Sequence, residues 1–339
     1  MIDHTDVWDL STAEFPENAP PKEQLKFLLR YAILAPSIFN SQPWMFRIQD
    51  RTIELYGDQS RSCRISDPEG RQLAISCAAA LFNLRAALKH FGRLGAIHIL
   101  PDEDDPELLA TIRLGEGADA TKDEMELFYA IPERRTNRQE FQGDQPEPEL
   151  LDRLRTAAES EGAWLETVTD DAVKRRLADL IADSDRELWE NKRYRLEFAV
   201  WVRHALGATD GLPSYAQGQT DLLSYAGPMA VRTFELADGQ AAYDHDLAAY
   251  SPALLVLGTN GETRRDWINA GMALQHTLLR AKASGFDASF LNQPIELPGM
   301  RTRVAELVGR AGHPQIILRV GIADEVRPTP RRDVGKTLI

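Results

Sequence analysis

Four short polar side chains lie in one stretch of the chain, residues 35–44, whose sequence is A-P-S-I-F-N-S-Q-P-W. They are the hydroxyls of Ser37 and Ser41 and the amides of Asn40 and Gln42. Hydroxyl, amide and backbone groups that share one constrained turn can bind a flat polar ligand. The alternative is a capped helix-to-strand connection with a buried tryptophan.

A second group with chemical potential is cationic. Arg134, Arg135 and Arg138 lie close together in an otherwise acidic chain, and Thr136 adds a hydroxyl between them. Guanidinium groups bind phosphate through paired, charge-assisted hydrogen bonds, so the cluster suits a phosphate ligand. The alternative is a solvated basic loop that balances neighbouring acids such as Glu133.

The elements that must position these groups follow from hydrophobic spacing and from the proline and glycine residues at element ends. Apolar residues recur at helical spacing before the 35–44 turn, and Pro20-Pro21 marks the start of that helix. Two strand-like segments follow the turn. Further helices are predicted at about 71–90, 150–160, 171–204, 264–284 and 300–308, and strands at 96–100, 109–114, 164–168, 253–258 and 315–320.

Two of the predicted helices resemble each other. Residues 75–92 align without gaps on residues 268–285, and both segments end in glycine and are followed by a strand-like segment. The alignment favours two related halves, although amphipathic helices can also coincide by chance.

Composition and charge narrow the classes of partner. The chain has 339 residues, of which 43% are hydrophobic and 27% charged, enough for one large or two ordinary domains. A net charge of -13 argues against nucleic acid or an anionic membrane as partner. No apolar run is long enough to span a membrane, and the start lacks a signal-peptide pattern. Two cysteines without a C-x-x-C motif predict no disulfide framework, so a cytoplasmic location is expected.

The first motif carries a family resemblance. A-P-S-x-x-N-x-Q-P-W-x-F, from residue 35 to residue 46, closely resembles a signature of the nitroreductase family of flavoproteins. In that family the turn lies against the isoalloxazine ring of FMN. The resemblance implies that Pro36, Ser37, Ile38 and Asn40 line a flavin site.

The cationic segment resembles a second element of that family. R-R-T-x-R-x-x-F is similar to the R-R-S-x-R-x-F element that holds the flavin phosphate, ribityl chain and pyrimidine edge, with one extra residue before the phenylalanine. The resemblance also implies a loop along the flavin ring and a C-terminal basic pair at the FMN phosphate, for which a solvated tail is the alternative. The implied residues are Arg134, Arg135, Thr136 and Arg138 in the cationic segment, Leu291 and Asn292 in the loop, and Arg331 and Arg332 in the basic pair.

The order of the motifs is the reverse of that in an ordinary nitroreductase, where the arginine element precedes the turn in one domain and the working unit is a homodimer. Here residues 1–125 carry the turn, and residues 126–339 carry the arginine element and the basic pair. The chain thus resembles the tandem, Acg-type nitroreductases. This resemblance implies an α+β fold of two nitroreductase-like halves, mainly antiparallel sheet packed by helices. The halves would form an intramolecular pseudo-dimer, open to further dimerisation, with one complete and one degenerate flavin site.

The resemblance implies an FMN-binding oxidoreductase that uses NAD(P)H to reduce nitroaromatic or quinone acceptors by two electrons. Hydride transfer needs no side-chain acid, base or nucleophile, so the sequence predicts no catalytic residue. The alternative is a lidded flavin-sequestering stress protein with little turnover, because residues 205–226 form a long Gly/Tyr-rich segment that could cover the flavin. A structural or interaction protein without flavin is the third reading. Residues 244–246, D-H-D, could ligate a metal, but a solvated turn without metal is favoured.

Overall fold

A computed structural model describes residues 6–203, 208–213, 215 and 237–339. Helices, including two long ones of 20 residues at the centre of the molecule, combine with two sheets of short antiparallel strands, so the fold is α+β. The helices are α1 (Pro21–Ala32), α2 (Arg71–His90), α3 (Lys122–Ala130), α4 (Pro148–Glu159), α5 (Asp171–Glu190), α6 (Lys192–Trp201), α7 (Ala237–Ala249), α8 (Arg264–Ala283), α9 (Gln293–Glu296) and α10 (Pro298–Leu307). The strands are β1 (Trp44–Gln49), β2 (Thr52–Gly57), β3 (Leu94–Ile99), β4 (Leu108–Leu114), β5 (Trp164–Val168), β6 (Val202–Arg203), β7 (Leu212–Pro213), β8 (Ala253–Thr259), β9 (Asp287–Phe290) and β10 (His313–Gly321).

Two four-stranded sheets share one topology. The first has the order β1-β2-β4-β3 and the second the order β5-β8-β10-β9, with antiparallel pairing throughout. In both, the strands in chain order stand first, second, fourth and third across the sheet. The second sheet accommodates a long insertion between β5 and β8, which carries α5, α6 and α7. The common strand order indicates two halves of related fold.

The two long helices α2 and α8 pack against each other between the sheets. Their closest approach requires a glycine: a Cβ atom built on Gly271 of α8 would lie 2.3 Å from the carbonyl oxygen of Ile75 and 2.6 Å from Cβ of Ala78. Ile268 and Met272 of α8 belong to the same buried cluster as the core of the first half. The long helix of each half therefore contributes residues to the core of the other half, and the distance between the two helices is set at residue 271.

Three expectations about secondary structure need correction. The predicted helix 171–204 is two helices, because Asn191 has an extended backbone and its side chain accepts a hydrogen bond from Arg193 N at 2.9 Å, capping α6. Residues 244–246 are not a turn but part of α7, where Asp244 is buried. Helix α3 was not expected; Thr121 and Glu124 begin it with a reciprocal capping box. The lid-like segment 205–226 lies outside the described residues except for 208–213 and 215.

Candidate functional site

The turn after α1 has an unusual backbone. Phe39, Asn40 and Gln42 have φ angles of 49°, 54° and 52°, in the left-handed region that side chains other than glycine rarely adopt. The hydroxyl of Ser37 accepts a hydrogen bond from the Gln42 backbone N–H at 2.9 Å and closes the turn. Such conformations persist only where surrounding contacts enforce them, and they concentrate at functional sites.

A cavity of about 480 Å³ lies against this turn. Six of the residues implied to contact flavin line it: Pro36, Ser37, Ile38, Arg138, Leu291 and Asn292. The turn, the α2 and α8 helices and the end of β9 thus meet at one place. We call this space the ring cavity.

A second cavity, of about 210 Å³, is lined by the cationic segment and parts of both chain ends. Arg134, Arg135, Thr136 and Arg138 all line it. Because Arg138 lines both cavities, an elongated ligand with a flat end and an anionic end could occupy them together. We call this second space the anion cavity. Its remaining lining residues are Trp8, Gln139, Tyr215, Glu325, Val326, Arg327 and Thr329.

The guanidinium groups of Arg134, Arg135 and Arg331 beside the anion cavity form no direct ion pair with a described carboxylate, although Glu325 lines the same cavity. Arg134 is 3% exposed, and its Nε and Nη1 atoms have no hydrogen-bond partner among the described residues. Burial, and then the neighbouring Arg135, lower the pKa of Arg134 to about 9. Burial, followed by Arg134 and Arg135, lowers the pKa of Arg331 as well. Within the described ranges no carboxylate forms an ion pair with any of the three. Buried like charges of this kind are tolerated when an anion neutralises them.

A single aromatic ring, that of Trp8, contacts two of these arginines. The guanidinium carbon of Arg135 lies 4.1 Å from the centre of the Trp8 ring, and that of Arg331 lies 4.8 Å from it. Nε1 of Trp8 donates to the carbonyl oxygen of Thr329 at 2.9 Å, which fixes the indole against the C-terminal tail. Cation–π contacts therefore orient the cationic cluster without neutralising it.

Asn40 lies beside the ring cavity without lining it. Its Nδ2 donates to the carbonyl oxygens of Gly211 at 2.9 Å and Pro330 at 3.0 Å, and its Oδ1 accepts from Arg331 Nη1 at 2.8 Å. Asn40 and Arg331 thereby tie the turn to the 208–213 segment and to the C-terminal tail. Their direct contact with flavin stays a prediction.

Arg332 has a similar structural position. Its backbone N–H donates to Gln42 Oε1 at 2.8 Å, and its Nη1 donates to the Gln42 carbonyl oxygen at 3.1 Å. It lines neither cavity.

The two loop residues after β9 both line the ring cavity and both bond to Ile317. The backbone N–H of Leu291 donates to the carbonyl oxygen of Ile317 at 3.0 Å. The side-chain Oδ1 of Asn292 accepts from Ile317 N at 2.9 Å. The backbone N–H of Leu291 therefore already has a hydrogen-bond acceptor within the protein.

The structure adds residues that the sequence did not single out. The wall of the ring cavity away from the turn is formed by aromatic and acidic side chains from the insertion and from α9. Trp8 and Arg327 join the anion cavity from opposite ends of the chain, so only the fold could reveal them. The added wall residues are Asp185, Trp189, Tyr194, Phe198, Glu296 and Asp244, the last of which the sequence suggested only as a metal ligand; Phe39 of the turn itself lines the cavity as well.

The equivalent position in the other half is bridged by a side chain. The alignment of α2 with α8 places Arg265 where Gln72 stands in the ring cavity, and it places Ile99 at the position of Asn292. Arg265 Nη2 donates to the carbonyl oxygen of Ile99 at 3.1 Å. This hydrogen bond therefore links the two positions that correspond to Gln72 and Asn292 of the ring cavity.

No protein-family model matches the chain, but curated relatives span almost all of it. The "Putative NAD(P)H nitroreductase Rv3131" of Mycobacterium tuberculosis is 31% identical over 324 residues, which make up 94% of this chain and 92% of the relative. The "Putative NAD(P)H nitroreductase acg" of the same organism is 27% identical over 331 residues, 95% of this chain and 97% of the relative. The chain belongs to the Acg-type nitroreductase family.

Solved structures resemble part of this Acg-type chain. The FMN-dependent nitroreductase NfnB from Mycobacterium smegmatis, solved in complex with NADPH, covers 63% of this chain and 96% of its own, with 20% identity and a TM-score of 0.40. Iodotyrosine deiodinase bound to FMN and 3-iodo-L-tyrosine covers 61% of this chain and 94% of its own, with 16% identity and a TM-score of 0.40.

The described part of this Acg-type chain contains neither a membrane-spanning helix nor a metal-binding cluster of side chains. None of the helices there combines the length and apolar character needed to cross a membrane. In the same part of the chain, His, Cys, Asp and Glu form no group of three or more that could hold a metal ion.

Proposed function

We propose that this chain is an FMN-binding, NAD(P)H-linked oxidoreductase that reduces nitroaromatic or quinone acceptors by two electrons. The observation that carries the proposal is the buried arginine cluster, in which two guanidinium nitrogens of Arg134 have no hydrogen-bond partner among the described residues and which lines the anion cavity directly beside the ring cavity. A flat ring system with a phosphate at one end matches both spaces. The membership in the nitroreductase family supports the same chemistry.

The residues present fit FMN. Pro36, Ser37, Ile38 and Asn292 would line its ring, while Arg134, Arg135 and Thr136 would hold its phosphate end; Arg138, shared by both cavities, would lie between them. When bound, FMN supplies hydride chemistry that no protein side chain offers. The chain binds and orients the cofactor and shapes the acceptor space. The unpartnered guanidinium atoms of Arg134 become satisfied when a phosphate accepts their hydrogen bonds.

The acceptor class follows from the aromatic wall of the ring cavity. Phe39, Trp189 and Phe198 line it, and the Phe198 ring contacts both of the others edge-on, with centroids 5.3 Å apart in each pair. Flat aromatic molecules pack well against such a wall. NAD(P)H as reductant is supported by the names of the curated relatives.

The site would be formed once per chain, by both halves of a pseudo-dimer. Residues 1–125 supply the turn, and residues 126–339 supply the arginine cluster and the loop after β9. The bridge from Arg265 to Ile99 occupies the equivalent place in the other half, which supports one flavin site per chain.

Flavin sequestration is the second candidate function, and the 208–213 segment favours it. Gly211 N donates to the Asn40 carbonyl oxygen at 3.1 Å, Gln42 Nε2 donates to the Thr209 carbonyl oxygen at 2.8 Å, and Leu212 lines the ring cavity. The segment thus covers one side of the turn. A covered flavin would exchange electrons slowly with bulky partners.

Anaerobic reduction distinguishes the two functions. FMN-loaded protein is mixed with NADH or NADPH while the flavin absorbance is followed, and dithionite serves as a reductant that needs no binding site. Rapid bleaching by a nicotinamide cofactor supports the reductase. Bleaching by dithionite alone supports sequestration, and failure to retain FMN contradicts both.

A further inference from the structure

Two buried carboxyl groups meet in the wall of the ring cavity. Asp185 of α5 is 1% exposed and Asp244 of α7 is 7% exposed, and both line the cavity. Gln293 Nε2 lies 2.9 Å from Asp244 Oδ2 and 3.4 Å from Asp185 Oδ2, and Gln240 Nε2 donates to Asp244 Oδ2 at 2.8 Å. The two amides thus hold the carboxyl pair against the cavity.

The pair must hold a proton. Asp185 Oδ2 and Asp244 Oδ2 both lie within 3.4 Å of the same nitrogen, Gln293 Nε2, so the two carboxyl groups are close neighbours, and two buried carboxylates this close do not both ionise. Among the described residues neither forms an ion pair with a lysine, arginine or histidine. Burial raises the pKa of both groups, and the proximity of Asp244 raises that of Asp185 further.

An unsatisfied donor in the same cavity points to an acceptor oxygen. Gln72 of α2 is 5% exposed and lines the ring cavity, and its Nε2 has no hydrogen-bond partner in the described chain. Glu296 faces this amide and is a protein group able to accept from it. The amide nitrogen carries two hydrogens, so a carbonyl or nitro oxygen bound in this cavity would supply a further acceptor for Gln72.

We propose that the Asp185–Asp244 pair donates the proton that a quinone or nitro acceptor needs during its reduction in the ring cavity. The proposal rests on the proposed function. It assigns to two side chains of the insertion a chemical role that the flavin-binding motifs do not provide.

The step balances as follows for a quinone. The acceptor gains a hydride, which carries two electrons and originates from NAD(P)H, and it gains one proton from the carboxyl pair. An O–H bond of the pair breaks, an O–H bond of the hydroquinone forms, and the pair is left with one additional negative charge. Water then returns the proton to the pair.

The groups around the pair set its pH dependence. Glu296 of α9, whose pKa burial raises to about 8, and the buried Tyr194 of α6 face it along with Tyr243 of α7. Arg138 and Arg319 act in the opposite direction on Asp244, because a positive charge favours its ionised form. The pair stays protonated at neutral pH because burial outweighs these two arginines.

The first test compares acceptors. FMN-loaded protein is reduced anaerobically with dithionite and mixed either with a quinone, which takes up protons, or with ferricyanide, which takes up electrons only. The ratio of the two oxidation rates should fall about 100-fold in D185N and D244N, the usual contribution of a general acid. The matched control D183N changes an exposed aspartate on the same helix, which pairs with Arg186, and should keep the wild-type ratio.

The second test needs no turnover. Infrared difference spectra of the cofactor-free E296Q protein, in which the other raised carboxyl of the cavity is removed, should show the carbonyl stretch of a protonated carboxyl at neutral pH, and adding D185N or D244N should abolish it. An E296Q protein without this band, or an unchanged rate ratio in the folded variants, overturns the proposal, while rapid bleaching of the FMN-loaded protein by NADH or NADPH shows separately that the proposed function holds. A protein that retains no FMN overturns the proposed function and this proposal together.

Discussion

Arg134 Nη2 donates to the carbonyl oxygen of Leu34 at 3.3 Å, which joins the cationic segment to the turn of the other half. Arg331 Nη2 lies 3.5 Å from the same oxygen and 3.2 Å from the Ala35 carbonyl oxygen. Two buried guanidinium groups thus converge where α1 ends, and the carbonyl groups of a helix C-terminus carry partial negative charge. These contacts bring the two sequence motifs together, but they leave most of the positive charge unpaired.

Replacing Arg134 by methionine should have opposite effects on stability and binding. The variant removes an unpaired buried charge, so the melting temperature of the cofactor-free protein should stay level or rise. FMN affinity should fall, by about 1.5–3 kcal/mol for one lost charge-assisted hydrogen bond. Calorimetry and fluorescence titration measure the two quantities. R155Q, which changes an exposed arginine paired with Asp152, is the matched control. Weaker stability with unchanged affinity would contradict the phosphate role.

Asn40 should matter through the contacts of its amide. N40A removes the hydrogen bonds of this amide to the carbonyl oxygens of Gly211 and Pro330 and to the guanidinium of Arg331. The free energy of unfolding, measured with denaturant, should therefore fall by about 1–3 kcal/mol. FMN binding should weaken as the turn loosens. N40G, which tolerates the φ angle of 54°, separates backbone strain from lost hydrogen bonds. If N40A were as stable as the wild-type protein, the amide would not hold the turn.

Glu161 should contribute to stability above acidic pH. Burial alone would raise its pKa, but hydrogen bonds from His276 and Arg85 outweigh burial and lower it to about 2. A depressed carboxyl pKa stabilises the folded state above the unfolded value and loses that contribution as pH falls toward 2. E161Q should therefore lose about 3 kcal/mol at neutral pH, with the difference shrinking in acid. Unfolding free energies of both proteins across pH test this, and a constant difference would contradict it.

Gly271 should be irreplaceable at the contact between the halves. In G271A the new methyl group would meet the Ile75 carbonyl oxygen at 2.3 Å, so α2 and α8 must separate. Overpacking of this kind costs about 1–3 kcal/mol. G299A is the control, because no atom lies within 4 Å of a Cβ built there. Thermal unfolding should show a lower melting temperature for G271A only; equal temperatures would mean that the helices can adjust.

Local sequence signals predicted much of the secondary structure, and the family resemblance predicted the fold class. The helix 71–90 and the strand 164–168 have the predicted bounds, since hydrophobic period and flanking turn residues determine both. The turn and the cationic segment were recognisable because each is contiguous in sequence. The resemblance of these two motifs to the nitroreductase family predicts that the chain belongs to it, and the curated relatives confirm this prediction. The assignment of individual residues to FMN stays a prediction.

The remaining features depend on packing between distant segments. Asp185 lies in a helix rich in charged residues, and it is buried because α7 and α9 pack on that helix. The local D-H-D run around Asp244 favours a solvated turn, whereas the fold places Asp244 in a buried position of α7. Trp8 reaches the arginines through the fold of the chain ends, and no periodicity encodes such a contact. Burial of a polar residue is a tertiary property, so a helix pattern alone does not reveal it.

The central claim is that both halves form a single FMN site, and a titration of cofactor-free protein with FMN tests it most directly. Absorbance and fluorescence should reach saturation at one FMN per chain for the wild-type protein. R134M and N40A, which change different halves, should both bind FMN more weakly. Two equivalents per chain, or wild-type affinity in both folded variants, would contradict the account.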